Sequence, residues 1–186
     1  GTGGALLYGN LVIPDGATGL VLFAHGSGSS RHSSRNQYVA RKLRTHGLAT
    51  LLFDLLTLEE EAADRVSGRQ RFDISLLSTR LIGATDWAQK NEPTRHLKVG
   101  YFGASTGAAA ALVAAAEEPD SIKAVVSRGG RPDLAYPILS RVKVPTLLIV
   151  GGDDYTVIDL NRQALAGLKA EKELKIVPGA SHLFEE

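Results

Sequence analysis

Short apolar runs recur along the chain at intervals that leave room for a helix between them: LVLFA at 20–24, ATLLF at 49–53, VGYF at 99–102, IKAVV at 122–126 and TLLIV at 146–150. A continuous apolar run of this length, bounded by Gly, Pro or Asp, suits a strand buried on both faces. Parallel pairing of such strands needs a crossover of a dozen or more residues, and the intervening segments supply it. The alternation therefore specifies an α/β architecture, a mostly parallel sheet with helices on both faces. Around this frame, Leu6–Ile13 reads as an opening strand that ends at the turn Pro14-Asp15-Gly16, and Leu174–Val177 as the last strand. In QYVARKLRTHG, Val39, Ala40 and Leu43 share a helical face and Gly47 closes the end. Asp73 caps a helix through Ala88 that carries Ile74, Leu77 and Leu81 on one side. Further helices are expected over 106–116 and 159–168. The segment Leu55–Arg71, with Glu59-Glu60-Glu61, reads as a solvated surface loop with material for one short helix, in preference to a mobile lid.

Composition bounds what such a sheet serves. With 186 residues, of which 44% are hydrophobic, the chain supports one core, so 1–186 is read as a single domain. Lys and Arg number 21 against 20 Asp and Glu, and a net charge of +1 gives no field that recommends nucleic acid or an anionic membrane as partner. Cysteine is absent, which removes disulfides, thiolate metal sites and a thiol nucleophile together. No run approaches the roughly 18 apolar residues of a membrane span, and Gly1-Thr2-Gly3-Gly4 lacks the basic-then-apolar pattern of a signal peptide. The expectation is a cytoplasmic protein of open oligomeric state, acting on a small molecule without metal or cofactor.

In VGYFGASTGAAAALV, 99–113, a lone serine stands where a buried strand meets an alanine-rich helix. Gly103-x-Ser105-x-Gly107 matches the strained turn that presents a nucleophile at a strand end, with small residues where strand and helix crowd together. A serine hydroxyl needs a base, and the base needs a carboxylate to orient it. Of the five histidines, His182 follows the last strand and so lies at the edge where Ser105 stands. His46 and His96 fall at the opposite edge, and His32 in a polar loop. Asp153 and Asp154 follow the strand 146–150, with Asp154 the preferred acid; Asp54 also ends a strand but precedes the nucleophile. The backbone N–H groups of Thr106 and Ser27 are placed for an oxyanion hole, and His25 is read as a brace for the Ser27 loop.

Together the HGSG loop, the GASTG turn, the late GGDD and the final GASH, in the order nucleophile, acid, base, resemble the α/β-hydrolase superfamily over nearly the whole chain. The branch they resemble is the dienelactone-hydrolase-like group. The resemblance gives Ser105, Asp154 and His182 the triad roles, and Ser27 and Thr106 the oxyanion roles. Two departures stand out. The namesake enzymes use cysteine where this chain has Ser105, so their lactone chemistry is not carried over, and the family's usual packing helix after the base is not expected here.

The connection SRGGRPDLAYPILSRVKVP is too short for a lid domain, which implies an open site for small esters or thioesters. Arg128, at the end of a strand on the same edge, is a candidate for binding a substrate carboxylate; Arg31 and Arg35 invite the idea more weakly. Two rival readings compete. A phosphate loop at HGSGSS fails because position 31 is Arg and no G-K-S/T follows. A hydrolase fold that only binds a ligand or protein partner stays open, and labelling of Ser105 by a fluorophosphonate separates it from an enzyme.

Overall fold

The computed structural model describes residues 4–185. Seven strands form one sheet in the order β1-β3-β2-β4-β5-β6-β7: β1 Gly9–Val12, β2 Gly19–Ala24, β3 Leu48–Phe53, β4 Lys98–Ala104, β5 Ile122–Arg128, β6 Thr146–Gly151 and β7 Lys172–Val177. β1 runs antiparallel to β3, and every other pair is parallel. The helices are α1 Ser34–Thr45, α2 Leu58–Ser67, α3 Ile74–Lys90, α4 Thr106–Glu117 and α5 Tyr155–Gly167. The expected alternation is present, with strand and helix ends displaced by a few residues.

Strand periodicity decides which helix goes where. Leu20, Leu22 and Ala24 face the larger core with α3 and α4, while the intervening Val21 and Phe23 face α1 through Ala40, Val39 and Leu43. α4 lies deepest; seven of its alanines are buried, six of them wholly so, because small side chains let it lie close to both the sheet and α3. On the α1 side, Val126, Leu147 and Ile149 remain only partly buried.

Two segments differ from the sequence reading. Residues 58–67, read as a solvated surface loop with material for one short helix, form the helix α2, followed by a short 3₁₀ turn at Gln70–Phe72. The link between β5 and β6 contains a 3₁₀ segment, Pro132–Arg141, with Pro137 inside it. Neither is a lid domain. Past β7 no helix occurs among the described residues, and none of the helices is long and apolar enough to cross a membrane.

Candidate active site

Register fixes the site. Ala24 pairs with Gly103, Ala104 with Arg128, Arg128 with Ile149 and Gly151 with Val177, so the chain leaves β2, β4, β5, β6 and β7 at one edge. In parallel α/β sheets, the edge at the strands' carboxyl ends is where ligands bind.

Ser105 holds φ 52° and ψ −123°, a conformation that costs an L residue free energy. It precedes α4 without capping it, so its hydroxyl stays available. Its backbone is over-determined: the N–H donates to the Arg128 carbonyl at 3.3 Å, and its carbonyl accepts from Ala108 at 3.1 Å and Arg131 at 3.0 Å. The flanking glycines are steric necessities. A Cβ on Gly107 would stand 2.1 Å from the Ala24 carbonyl oxygen, and one on Gly103 2.5 Å from Ala108 Cα.

His182 and Asp154 meet across two loops. His182 Nδ1 lies 2.7 Å from Asp154 Oδ2; since the carboxylate accepts, Nδ1 carries the proton and Nε2 keeps a lone pair. The loops approach closely at Gly151, where a Cβ would sit 2.3 Å from the Ala180 carbonyl oxygen. The Asp153 N–H also donates to Ala180 at 3.0 Å, but its side chain is exposed. Asp154 stands at the N-cap of α5 yet makes no cap bond; its carboxylate is spent on His182. Ser105 and His182 line one cavity of about 240 Å³, together with Gly26, Ser27, Arg35 and Arg128. Gly129, at φ +53°, lies against the imidazole, with His182 Cε1 3.5 Å from where its Cβ would be.

Ser27 and Thr106 are tied through their side chains. Ser27 Oγ donates to the Arg71 carbonyl at 3.0 Å, which leaves Thr106 Oγ1 to donate to Ser27 Oγ at 2.7 Å. Their backbone N–H groups find no acceptor among the described residues. The side-chain link and the part of Arg71 in it carry no periodic signal and escaped sequence reading. On the far side of the Ser27 loop lies a second cavity of about 200 Å³, between that loop and α2.

The other candidates separate cleanly. His25 is 8% exposed; its Nδ1–H donates to the Gly26 carbonyl at 2.8 Å, and its Nε2 accepts from Leu55 N–H at 3.1 Å. Burial holds its pKa below the usual imidazole value. The ring braces the loop, as expected. Asp54 and Arg31 pair with each other, and Arg31 also lies over the Tyr8 ring at 5.8 Å, which removes both from the cavity. His32, His46 and His96 are exposed and stand apart from it.

Sheet order, elbow and converging loops define an α/β-hydrolase. The model of the dienelactone hydrolase family matches residues 7–186, and the chain belongs to that family. A crystal structure of dienelactone hydrolase from Anabaena variabilis is 65% identical, with a TM-score of 0.98 over 100% of this chain and 86% of that one. Est1E from Butyrivibrio proteoclasticus, 17% identical with a TM-score of 0.81 over 97% of this chain and 87% of its own, shares the fold. A Mycobacterium tuberculosis protein whose name assigns it, provisionally, a phosphoribosyl transferase role is 57% identical over 178 residues. That match takes in 96% of this chain but 39% of the relative, so the chain spans about two-fifths of that length. The family and the fold are those of hydrolases.

Proposed function

We propose that the chain is a serine hydrolase of small esters or thioesters, working through an acyl-enzyme on Ser105. One observation carries the reading: a strained, uncapped Ser105 shares a cavity with an imidazole whose proton is fixed on Nδ1 by Asp154. His182 Nε2 takes the Ser105 proton as Oγ attacks the carbonyl carbon. The carbonyl electron pair moves to oxygen, where the N–H groups of Ser27 and Thr106 receive it. Collapse breaks the bond to the alcohol or thiol, which leaves with the proton from His182. Water then attacks the acyl carbon, gives its proton to His182, and releases the acid as Ser105 is reprotonated. Arg128, at the cavity wall, binds the substrate's anionic end.

A fluorophosphonate probe tests this directly. Wild-type protein is expected to be labelled at Ser105, and Ser105→Ala to abolish labelling. A folded wild type that stays unlabelled would make ligand binding the better account. Rates on p-nitrophenyl esters of increasing chain length, with a thioester beside them, then define the acyl group.

A further inference from the structure

The wall of the Ser105 cavity carries more positive charge than the chemistry above uses. Among the described residues, the Arg128 guanidinium has no acceptor; its near neighbour is the Phe102 ring, 5.6 Å away. Arg35 donates to Glu185 Oε1 at 3.2 Å, an exposed carboxylate, while Arg35 Nε is buried without a partner. Asn36, only 2% exposed, leaves its Oδ1 buried and unbonded, and its amide group has no acceptor either. All three residues line the same cavity as Ser105 and His182, and no Asp or Glu lines it. Arg35 and Asn36 belong to the first turn of α1, the end of a helix that favours negative charge.

We propose that this wall is a subsite for a phosphate-class dianion, held by Arg128, Arg35 and the Asn36 carboxamide, so that the enzyme's substrates are esters bearing a phosphate or phosphonate group. The inference deepens the serine hydrolase reading and rests on it for the word substrate, though the subsite stands on its own geometry. Two guanidiniums side by side repel each other. Burial, aided by the charge of Arg35, lowers the Arg128 pKa to about 10, as expected of a cation that lacks its counter-ion. A carboxylate brings one charge and two oxygens. A phosphate monoester brings a charge near −2 and three terminal oxygens, one for each of the three donor groups. The buried, unbonded Arg35 Nε–H is a costly donor, and a phosphate oxygen that accepts from it removes the cost.

Inorganic phosphate is the probe. Titrated calorimetrically into full-length Ser105→Ala protein, it is expected to bind at least tenfold more tightly than acetate. Arg128→Gln and Arg35→Gln are each expected to weaken phosphate at least tenfold, and Asn36→Asp to do so by placing a negative charge on the wall. Without any variant, phosphate should inhibit wild-type hydrolysis of p-nitrophenyl acetate competitively, and acetate should not at equal concentration. Equal affinity for phosphate and acetate, undiminished phosphate binding in folded Arg128→Gln, or absent competition would each overturn the subsite. Phosphate binding by a protein that hydrolyses no ester leaves the subsite standing and removes the serine reading; ester hydrolysis without phosphate binding does the reverse.

Discussion

At Ser105 stability and chemistry pull in opposite directions. Its backbone conformation costs an L residue on the order of 1–3 kcal/mol, a cost that glycine escapes. Glycine loses more unfolded-state entropy in exchange, so Ser105→Gly is expected to gain about 1 kcal/mol net. In a chain of this length that raises the melting temperature by about 2–4 °C, measured by circular dichroism. Ser105→Ala keeps the strain and should melt as the wild type does, while both variants lose probe labelling. A Ser105→Gly protein no more stable than Ser105→Ala would mean that the turn is relaxed. Asp154 and Asp153 give the second comparison at this scale. The Asp154 carboxylate fixes the imidazole, whereas that of Asp153 faces solvent. Asp154→Asn is expected to lower kcat on p-nitrophenyl acetate by about 10³- to 10⁴-fold, and Asp153→Asn by less than about threefold. The reverse ranking would move the acid to Asp153. Sequence alone ranked these neighbours by spacing; what separates them is that the Asp153 N–H is drawn onto Ala180, which turns Asp154 toward His182.

Among the elements, those built on apolar periodicity were legible and those built on polar contacts were not. β2, β4, α3 and α4 announce themselves because burial selects their residues at fixed intervals. α2 has a thin apolar face and is held instead by its own polar groups. Thr57 and Glu60 form a capping box, Glu60 pairs twice with the nearly buried Arg80 of α3, and Asp64 holds Arg71 by three hydrogen bonds. The T-x-x-E signal was present at 57–60, but without a hydrophobic stripe it reads equally as a charged loop. The Pro132–Arg141 segment was hidden for the opposite reason, since two prolines break any helical period. The Glu60 pair makes a pH-dependent prediction. Hydrogen bonding to Arg80 holds the Glu60 pKa below its ordinary value near 4.5. A depressed carboxylate stabilises the fold above the unfolded-state pKa, and that stabilisation is lost as pH falls through the folded one. Glu60→Gln should therefore cost about 1 kcal/mol at pH 7, solvent screening keeping the figure modest, and the gap to wild type should close below about pH 4. A gap of the same size at pH 3.5 and pH 7 in urea titrations would assign the loss to packing.

For the molecule as a whole, the site is a consequence of topology. Ser27, Ser105, Arg128, Asp154 and His182 lie far apart in the chain and meet because parallel strands all deliver their carboxyl ends to one edge. That much could be read from the order of strands and helices. The subsite wall could not, because Arg35 and Asn36 reach the cavity from α1, and only three-dimensional packing shows what they face. The larger core has no seam: it runs from Leu20 in β2 through α3 and α4 to Leu168 beyond α5. Residues that share one apolar cluster lose it together, so the chain is expected to unfold in one cooperative transition. The single tryptophan, Trp87, is partly exposed and reports the packing of α3 against the β1 edge of the sheet, and fluorophosphonate labelling of Ser105 reports the rim. In guanidinium titrations, the fluorescence of Trp87, far-ultraviolet circular dichroism and residual labelling should share one midpoint. Labelling lost at clearly lower denaturant would show that the Asp154 and His182 loops come apart before the sheet, and two separated optical transitions would divide the chain into more than one folding unit.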